Sequence, residues 1–230
     1  MSIILSLLIS TLFYAENIKL TSTDGCIISA EISVKDTKSP FLIEVHGLGS
    51  NRQEWNPLNE HLSKSNINYI SLDLRGHGES TMCGKRSIKY PDIRRKDVEN
   101  FTEDVKTFVR YIEEKYPQSN IIPIGASIGA NIVMKLFYKK TAKIILLAPG
   151  LNYAGYEISD LFKKTKANIM FVVSENDLYS LSSTRVFMQI LNSRRINYSF
   201  ILSDTGHGAE IFKTNKAQQY ISKIISFIKN

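Results

Sequence analysis

The segment Gly125-Ala126-Ser127-Ile128-Gly129 sets a hydroxyl between two glycines, with the apolar run Asn120 to Gly125 before it and a helical pattern, Ser127 to Tyr138, after it. This is G-x-S-x-G in the strand–turn–helix setting that the motif requires. The reason is steric: Gly125 and Gly129 let strand and helix approach, and the tight turn leaves the serine hydroxyl clear of the sheet. It then stands at a helix N-terminus, where the helix dipole favours developing negative charge. The chemistry such a serine performs is acyl transfer. A hydroxyl is a poor nucleophile until a base takes its proton, so a histidine is needed, and an acid to orient it. Alone the motif is weak, since small residues also fill helix–strand contacts.

Four histidines are present. His207 lies in Ser203-Asp204-Thr205-Gly206-His207-Gly208, directly after the last strand-like run, on a loop at a strand's carboxyl end. Asp177 follows the run Ile169 to Val173, again just past a strand, with Glu175 as its rival in the same loop. The chain order Ser127, Asp177, His207 suits a triad carried on successive strand ends, and ligands of open sheets bind beyond those ends. The remaining requirement is an oxyanion hole. Val45-His46-Gly47-Leu48-Gly49-Ser50 follows the apolar run Phe41 to Val45, and its glycines let backbone approach a ligand. The expected donors are the backbone N–H groups of Leu48 and Ile128, aimed at a tetrahedral oxyanion.

The elements that must position these groups alternate. Ile18 to Thr21 and Ile27 to Val34 flank the turn signal Thr23-Asp24-Gly25 and read as an antiparallel hairpin. Phe41 to Val45 is nearly all apolar, as a strand buried on both faces should be. Trp55, Leu58 and Leu62 carry helical spacing, Asn68 to Leu74 reads as a strand, and Val98 to Ile112 marks one long amphipathic helix. Strands at 143–147, 168–173 and 198–202 then alternate with helices near 157–164, 183–192 and 217–228. That rhythm implies βαβ units and a mostly parallel α/β sheet with helices on both faces.

With these segments together, the chain resembles an α/β-hydrolase of the serine esterase and lipase-like superfamily, in the branch of monoglyceride lipases and serine aminopeptidases. The resemblance covers about residues 17 to 230 and rests on HGLGS at 46–50, DLRGHGES at 73–80, GASIG at 125–129, and Asp177 with His207. It implies an eight-stranded sheet, a Ser127–Asp177–His207 triad, and no metal or organic cofactor. It favours Asp177 over Glu175, gives His46 the shaping of the oxyanion loop together with Gly47, and gives His77 loop support. Asp204 is expected to brace the His207 loop, and Arg75 to pair with Asp73 in a buried turn. Relatives that take long acyl chains often insert a long lid after the sixth strand. Here only 147–168 is available, so a minimally lidded site is expected, with Tyr153, Tyr156 and Phe162 as an apolar wall. The activity implied is hydrolysis of short-chain acyl esters. A peptidase or thioesterase would use the same triad, and a non-catalytic ligand-binding relative would usually have lost one of its members.

Composition agrees with a folded globular chain: 230 residues, 43% hydrophobic and 22% charged. One domain, 16–230, is the expectation for this length. The net charge of +7 is spread along the chain without an aromatic-interleaved basic cluster, so it reads as a solvated basic surface and not a nucleic-acid site. The denser stretch Lys85 to Lys96 reads as a solvated loop entering the helix at Asp97. Two cysteines supply neither a disulfide framework nor, without spaced histidines, a zinc site; a Cys26–Cys83 bridge is permitted but not required. Ile3 to Phe13 is almost wholly apolar and no charge precedes Glu16; the run is too short for a spanning helix yet as long as a secretory core. It lacks an early Lys or Arg, and cleavage after Ala15 would leave bulky Phe13 where a small residue is preferred. Export or membrane association through this segment is the favoured expectation, with packing on a cytoplasmic domain as the alternative; the oligomeric state is open.

Overall fold

The computed structural model describes residues 15–230, so the expectation for the apolar N-terminal segment falls almost wholly outside the described residues. The chain opens with an antiparallel pair, β1 (Glu16–Thr21) and β2 (Cys26–Ser33), turning at Gly25 with φ +86°. There follow β3 (Phe41–Val45), a 3₁₀ turn Arg52–Trp55, α1 (Asn56–Leu62), β4 (Asn68–Leu72), and the two-residue strands β5 (Met82–Cys83) and β6 (Arg86–Ser87). Next come α2 (Arg95–Glu99), α3 (Phe101–Lys115), β7 (Ile121–Ala126), α4 (Ile128–Phe137), β8 (Lys143–Leu147), a hairpin of β9 (Asn152–Tyr153) and β10 (Tyr156–Glu157), and α5 (Ser159–Phe162). The chain closes with β11 (Asn168–Ser174), α6 (Leu178–Ser193), β12 (Tyr198–Ser203), a 3₁₀ turn Gly208–Lys213, and α7 (Ala217–Lys229).

The main sheet runs β12-β11-β8-β7-β3-β4-β2, with β1 on the far edge of β2 and the small β5–β6 hairpin continuing the β4 side. Eight long strands therefore form the sheet, and the β5–β6 pair raises the total to ten. β5 joins where Cys83 lies opposite Cys26, and the two cysteines form a disulfide. From β3 through β12 the pairings on this sheet are parallel along β4-β3-β7-β8-β11-β12, so all these strands point their carboxyl ends the same way.

Alternation along the strands sorts the core into two layers, since successive side chains point to opposite faces. Phe41, Ile43, Val45, Ile144 and Leu146 face α3, α4 and α6, which contribute Phe101, Phe108, Ile132 and Phe187. Leu42, Ile124, Ile145 and Leu147 face the other way, against Trp55 and Leu58 near α1 and Ile221 and Ile224 of α7. Glu44 shares that second face and is fully buried; Ser71 donates to it and Asn59 donates to Ser71 at 3.0 Å. Burial without a cation pushes the Glu44 carboxyl up to about 8.

Two expected elements differ. The helix expected across 98–112 breaks at Asn100 into α2 and α3. The helix expected from Ser183 begins at Leu178, because the Asp177 side chain accepts from the Ser180 N–H at 3.2 Å and caps it. The Arg75–Asp73 pair is corrected. Fully buried Arg75 instead reaches Asp104 of α3 at 2.7 Å and Asp24 of the first hairpin, while Asp73 takes Arg52. Asp73 also accepts from the Glu79 N–H at 2.9 Å, so it closes its loop through backbone and leaves Arg75 to tie three elements together. Among the described residues no helix is long and apolar enough to cross a membrane.

Candidate active site

Ser127 sits between β7 and α4 with φ +55° and ψ −121°, a conformation costly for a residue bearing a side chain. The surroundings enforce it. A Cβ on Gly125 would run into the Gly129 carbonyl, and one on Gly129 would run into the Val45 carbonyl, so the elbow and the end of β3 meet only because both positions are bare. The Ser127 N–H donates to the Leu147 carbonyl at 2.9 Å, locking the elbow to β8. Ser127 is half-buried, with its hydroxyl at the carboxyl edge of the sheet.

Asp177 and His207 arrive at that edge from the ends of β11 and β12. Asp177 Oδ2 lies 2.6 Å from His207 Nδ1, and the same carboxylate caps α6 through Oδ1. This bond sets the imidazole so that Nε2 is its free nitrogen. The His207 backbone N–H donates to Glu210 at 2.9 Å. Gly208 packs against Ala126, its Cβ position 3.1 Å from the Ala126 Cβ, which brings the histidine loop onto the elbow. Glu175 takes no part in that bond: its N–H donates to the Ser203 carbonyl. Asp204 pairs at 2.6 Å with Lys216, at the start of the last helix.

The loop after β3 forms the opposite wall. Gly47 N–H donates to Glu54 at 3.1 Å, Gly49 N–H to His77 Nε2 at 3.0 Å, and Ser50 N–H to the Gly47 carbonyl at 3.1 Å. Among the described residues the Leu48 N–H meets no acceptor, and Ile128 opens α4, where the first N–H groups have no acceptor within the helix. His46 is fully buried, accepts from the Leu74 N–H at 2.9 Å through Nε2, and bonds the Gly47 carbonyl through Nδ1 at 2.7 Å. Burial, reinforced by nearby His77, drives its pKa down to about 3, so it is neutral and serves as a brace.

Ser127, His207, Leu48, Glu54 and Lys213 line a cavity of about 240 Å³. Larger hollows lie along α7 and at the amino edge of the sheet, away from this chemistry. Glu54 and Lys213 were not singled out by sequence, and no local motif marks them; the Trp55 helical register was the only signal near Glu54. Burial raises the Glu54 carboxyl to about 7, partly offset by its hydrogen bonds from Ser50 and Gly47 and by Lys213. The 147–168 connection carries only the β9–β10 hairpin and four-residue α5, and the His207 side chain is 44% exposed, so the site is open. Among the described residues no group of three His, Cys, Asp or Glu side chains is arranged to hold a metal ion.

A switch in winding direction between β3 and β7, an elbow at the switch, and an acid and a histidine on later strand ends define an α/β-hydrolase. The chain belongs to the serine aminopeptidase, S33, family, whose model matches residues 38–202. An esterase from Pyrococcus furiosus superposes with a TM-score of 0.77 at 18% identity, covering 94% of this chain and 91% of its own. An alpha-beta serine hydrolase homologue from Coxiella burnetii superposes at 0.65 with 18% identity, covering 93% and 95%. In sequence, the chain is similar to protein phosphatase methylesterase 1 of Schizosaccharomyces pombe, 23% identical over 136 residues, or 56% of this chain. The chain spans well under half the length of the curated relatives it matches, 38% in that case.

Proposed function

We propose that the protein is a serine hydrolase of carboxylic esters with short acyl groups, working through an acyl-enzyme on Ser127, with residues 16–230 as one catalytic domain. The observation that carries this reading is the 2.6 Å Asp177–His207 bond beside a cavity that Ser127, His207 and the open Leu48 amide share. His207 Nε2 takes the Ser127 proton as Oγ attacks the ester carbonyl, and Asp177 stabilises the imidazolium that results. The Leu48 and Ile128 amides receive the carbonyl oxygen as it becomes an oxyanion. Collapse expels the alcohol, which takes the proton from Nε2; water then attacks the acyl-enzyme by the same steps in reverse.

The size of the site supports short chains. At roughly 30 Å³ for each water-sized group, about 240 Å³ holds about eight such groups, which suits a short acyl group inside the cavity. The name of the relatives matched in sequence, protein phosphatase methylesterase 1, agrees with ester hydrolysis. The test is labelling of purified protein by a fluorophosphonate probe, wild type against Ser127→Ala, followed by turnover of 4-nitrophenyl esters of increasing acyl length. Labelling confined to wild type and a rate falling with chain length are expected. An unlabelled wild type, or a long-chain ester turned over as fast as acetate, overturns the proposal.

A further inference from the structure

The alkoxy oxygen of the ester carries negative charge as the carbonyl bond to it breaks, and its one partner so far is the His207 Nε2–H. Beside the His207 ring stands Tyr153, its hydroxyl 2.9 Å from Ser180 Oγ. Burial raises the pKa of this phenol, partly offset by Ser180 and, least, by the Ser127 side chain. The Tyr153 ring stands edge-on to the His207 ring at 6.3 Å and packs against Tyr179 at 5.5 Å.

This position is built, not incidental. Tyr153 ends β9, and the β9–β10 hairpin turns through Ala154 and Gly155, both with positive φ. Asn131 of α4 donates to the carbonyls of Gly150 and Tyr156 at 2.8 and 2.7 Å, and accepts from the Gly150 N–H at 3.1 Å. Tyr179 clasps both backbone groups of Asn152 at 3.0 Å. Gly150 must be bare, because a Cβ there would meet the rings of Tyr179 and Tyr153 at 2.6 and 2.7 Å. The hairpin and the turn before it are held at five points, which fixes one phenol against His207.

The proton count allows donation. Ser180 Oγ has the Ala148 carbonyl at 3.3 Å and the Tyr153 oxygen at 2.9 Å. When the Ser180 hydroxyl donates its hydrogen bond to the Tyr153 oxygen, the phenolic O–H is free to donate to an oxygen held beside His207. Given the esterase reading, on which this inference rests, that oxygen is the leaving one in acylation and the attacking water in deacylation.

We propose that Tyr153 is a further catalytic residue of this site, whose hydroxyl hydrogen-bonds the alkoxy oxygen of the ester as it departs. The carbonyl–alkoxy bond breaks with its electron pair staying on the oxygen. That oxygen takes the proton of His207 Nε2, and Tyr153 keeps its own proton throughout. Its contribution therefore grows with the basicity of the leaving alkoxide. The site is thereby fitted to esters of simple alkyl alcohols, which leave poorly, more than to activated esters.

The experiment compares kcat/KM for ethyl acetate and trifluoroethyl acetate, in wild type and Tyr153→Phe. The two esters share their acyl group and are nearly equal in size, but trifluoroethoxide is much the weaker base. The Phe ring retains the packing against His207 and Tyr179, and the ratio of the two kcat/KM values cancels the amount of active enzyme. Tyr153→Phe is expected to lower kcat/KM for ethyl acetate by about tenfold or more relative to trifluoroethyl acetate, in the range of one lost hydrogen bond to developing charge. An unchanged ratio overturns the role, whatever the absolute rates. Failure of the underlying reading looks different: wild type then hydrolyses neither ester and Ser127 does not label, and both ideas fall together.

Discussion

Asp177 holds two jobs with its two oxygens, and replacing it separates them. Oδ2 meets His207 Nδ1 at 2.6 Å, and Oδ1 caps α6 at Ser180 N–H, 3.2 Å away. In Asp177→Asn the amide oxygen still accepts from Ser180, so the cap survives; Asn and Asp are near-equal caps. The amide NH₂ then faces Nδ1 and, as a donor, forces the ring proton onto Nε2. That tautomer cannot accept the Ser127 proton. The expected loss in kcat is about 10⁴-fold, which at about 1.36 kcal/mol per tenfold is about 5.4 kcal/mol of barrier. In Asp177→Ala the same catalytic loss is joined by loss of the cap, about 1 kcal/mol of folding stability. The assay pairs turnover of a short ester with urea unfolding of wild type, Asn and Ala proteins. Asn should match wild type in unfolding and Ala in rate. An Asn variant that keeps more than about a tenth of the wild-type rate, against the expected 10⁴-fold loss, refutes the assignment of acid and tautomer. An Asn variant as unstable as Ala refutes the capping argument.

Three further outcomes follow from the scaffold. Gly129→Ala drives a methyl into the Val45 carbonyl, so a loss of about 1–3 kcal/mol is expected in thermal or urea unfolding, with activity falling as the elbow opens. Arg75→Met leaves the fully buried Asp104 without its cation. A loss of about 3–5 kcal/mol is expected, and unfolding curves read it directly. Glu44→Gln tests burial of an acid: the folded carboxyl holds its proton up to about 8, whereas the unfolded one releases it near the ordinary 4.5. The folded state therefore binds more protons between those values, and wild-type stability falls as pH rises through that window. Gln cannot titrate, so its advantage over wild type in urea midpoint should grow from about pH 5 to about pH 8; an advantage that is flat with pH contradicts the burial argument.

Features that depend on short-range geometry are legible in the residue order. The elbow is legible because a strand-to-helix turn this tight needs glycine two residues either side of Ser127, and the hairpin at Gly25 because its φ of +86° suits glycine. The strands at β3, β8 and β11 are legible because a parallel sheet buried on both faces demands continuous apolar runs. His207 and Asp177 could be singled out since few side chains can serve as base and acid, and both fall just past strand ends. The tertiary structure alone decided what depends on packing between distant segments. Arg75 has Asp73 two residues away, yet pairs with Asp104 and Asp24, because the loop turns the guanidinium toward α3 and the first hairpin. Glu54 and Lys213 share the Ser127 cavity although 159 residues separate them along the chain, and no periodicity carries that fact. Tyr153 read as one aromatic of an apolar wall; only the fold, by pinning its hairpin on Asn131 and Tyr179, sets its ring against His207 and its hydroxyl on Ser180. Turn chemistry and periodicity act over a few residues and are written in the local order. The side-chain neighbours of a site are set by how the sheet stacks its strand ends, and that order exists only once the chain has folded.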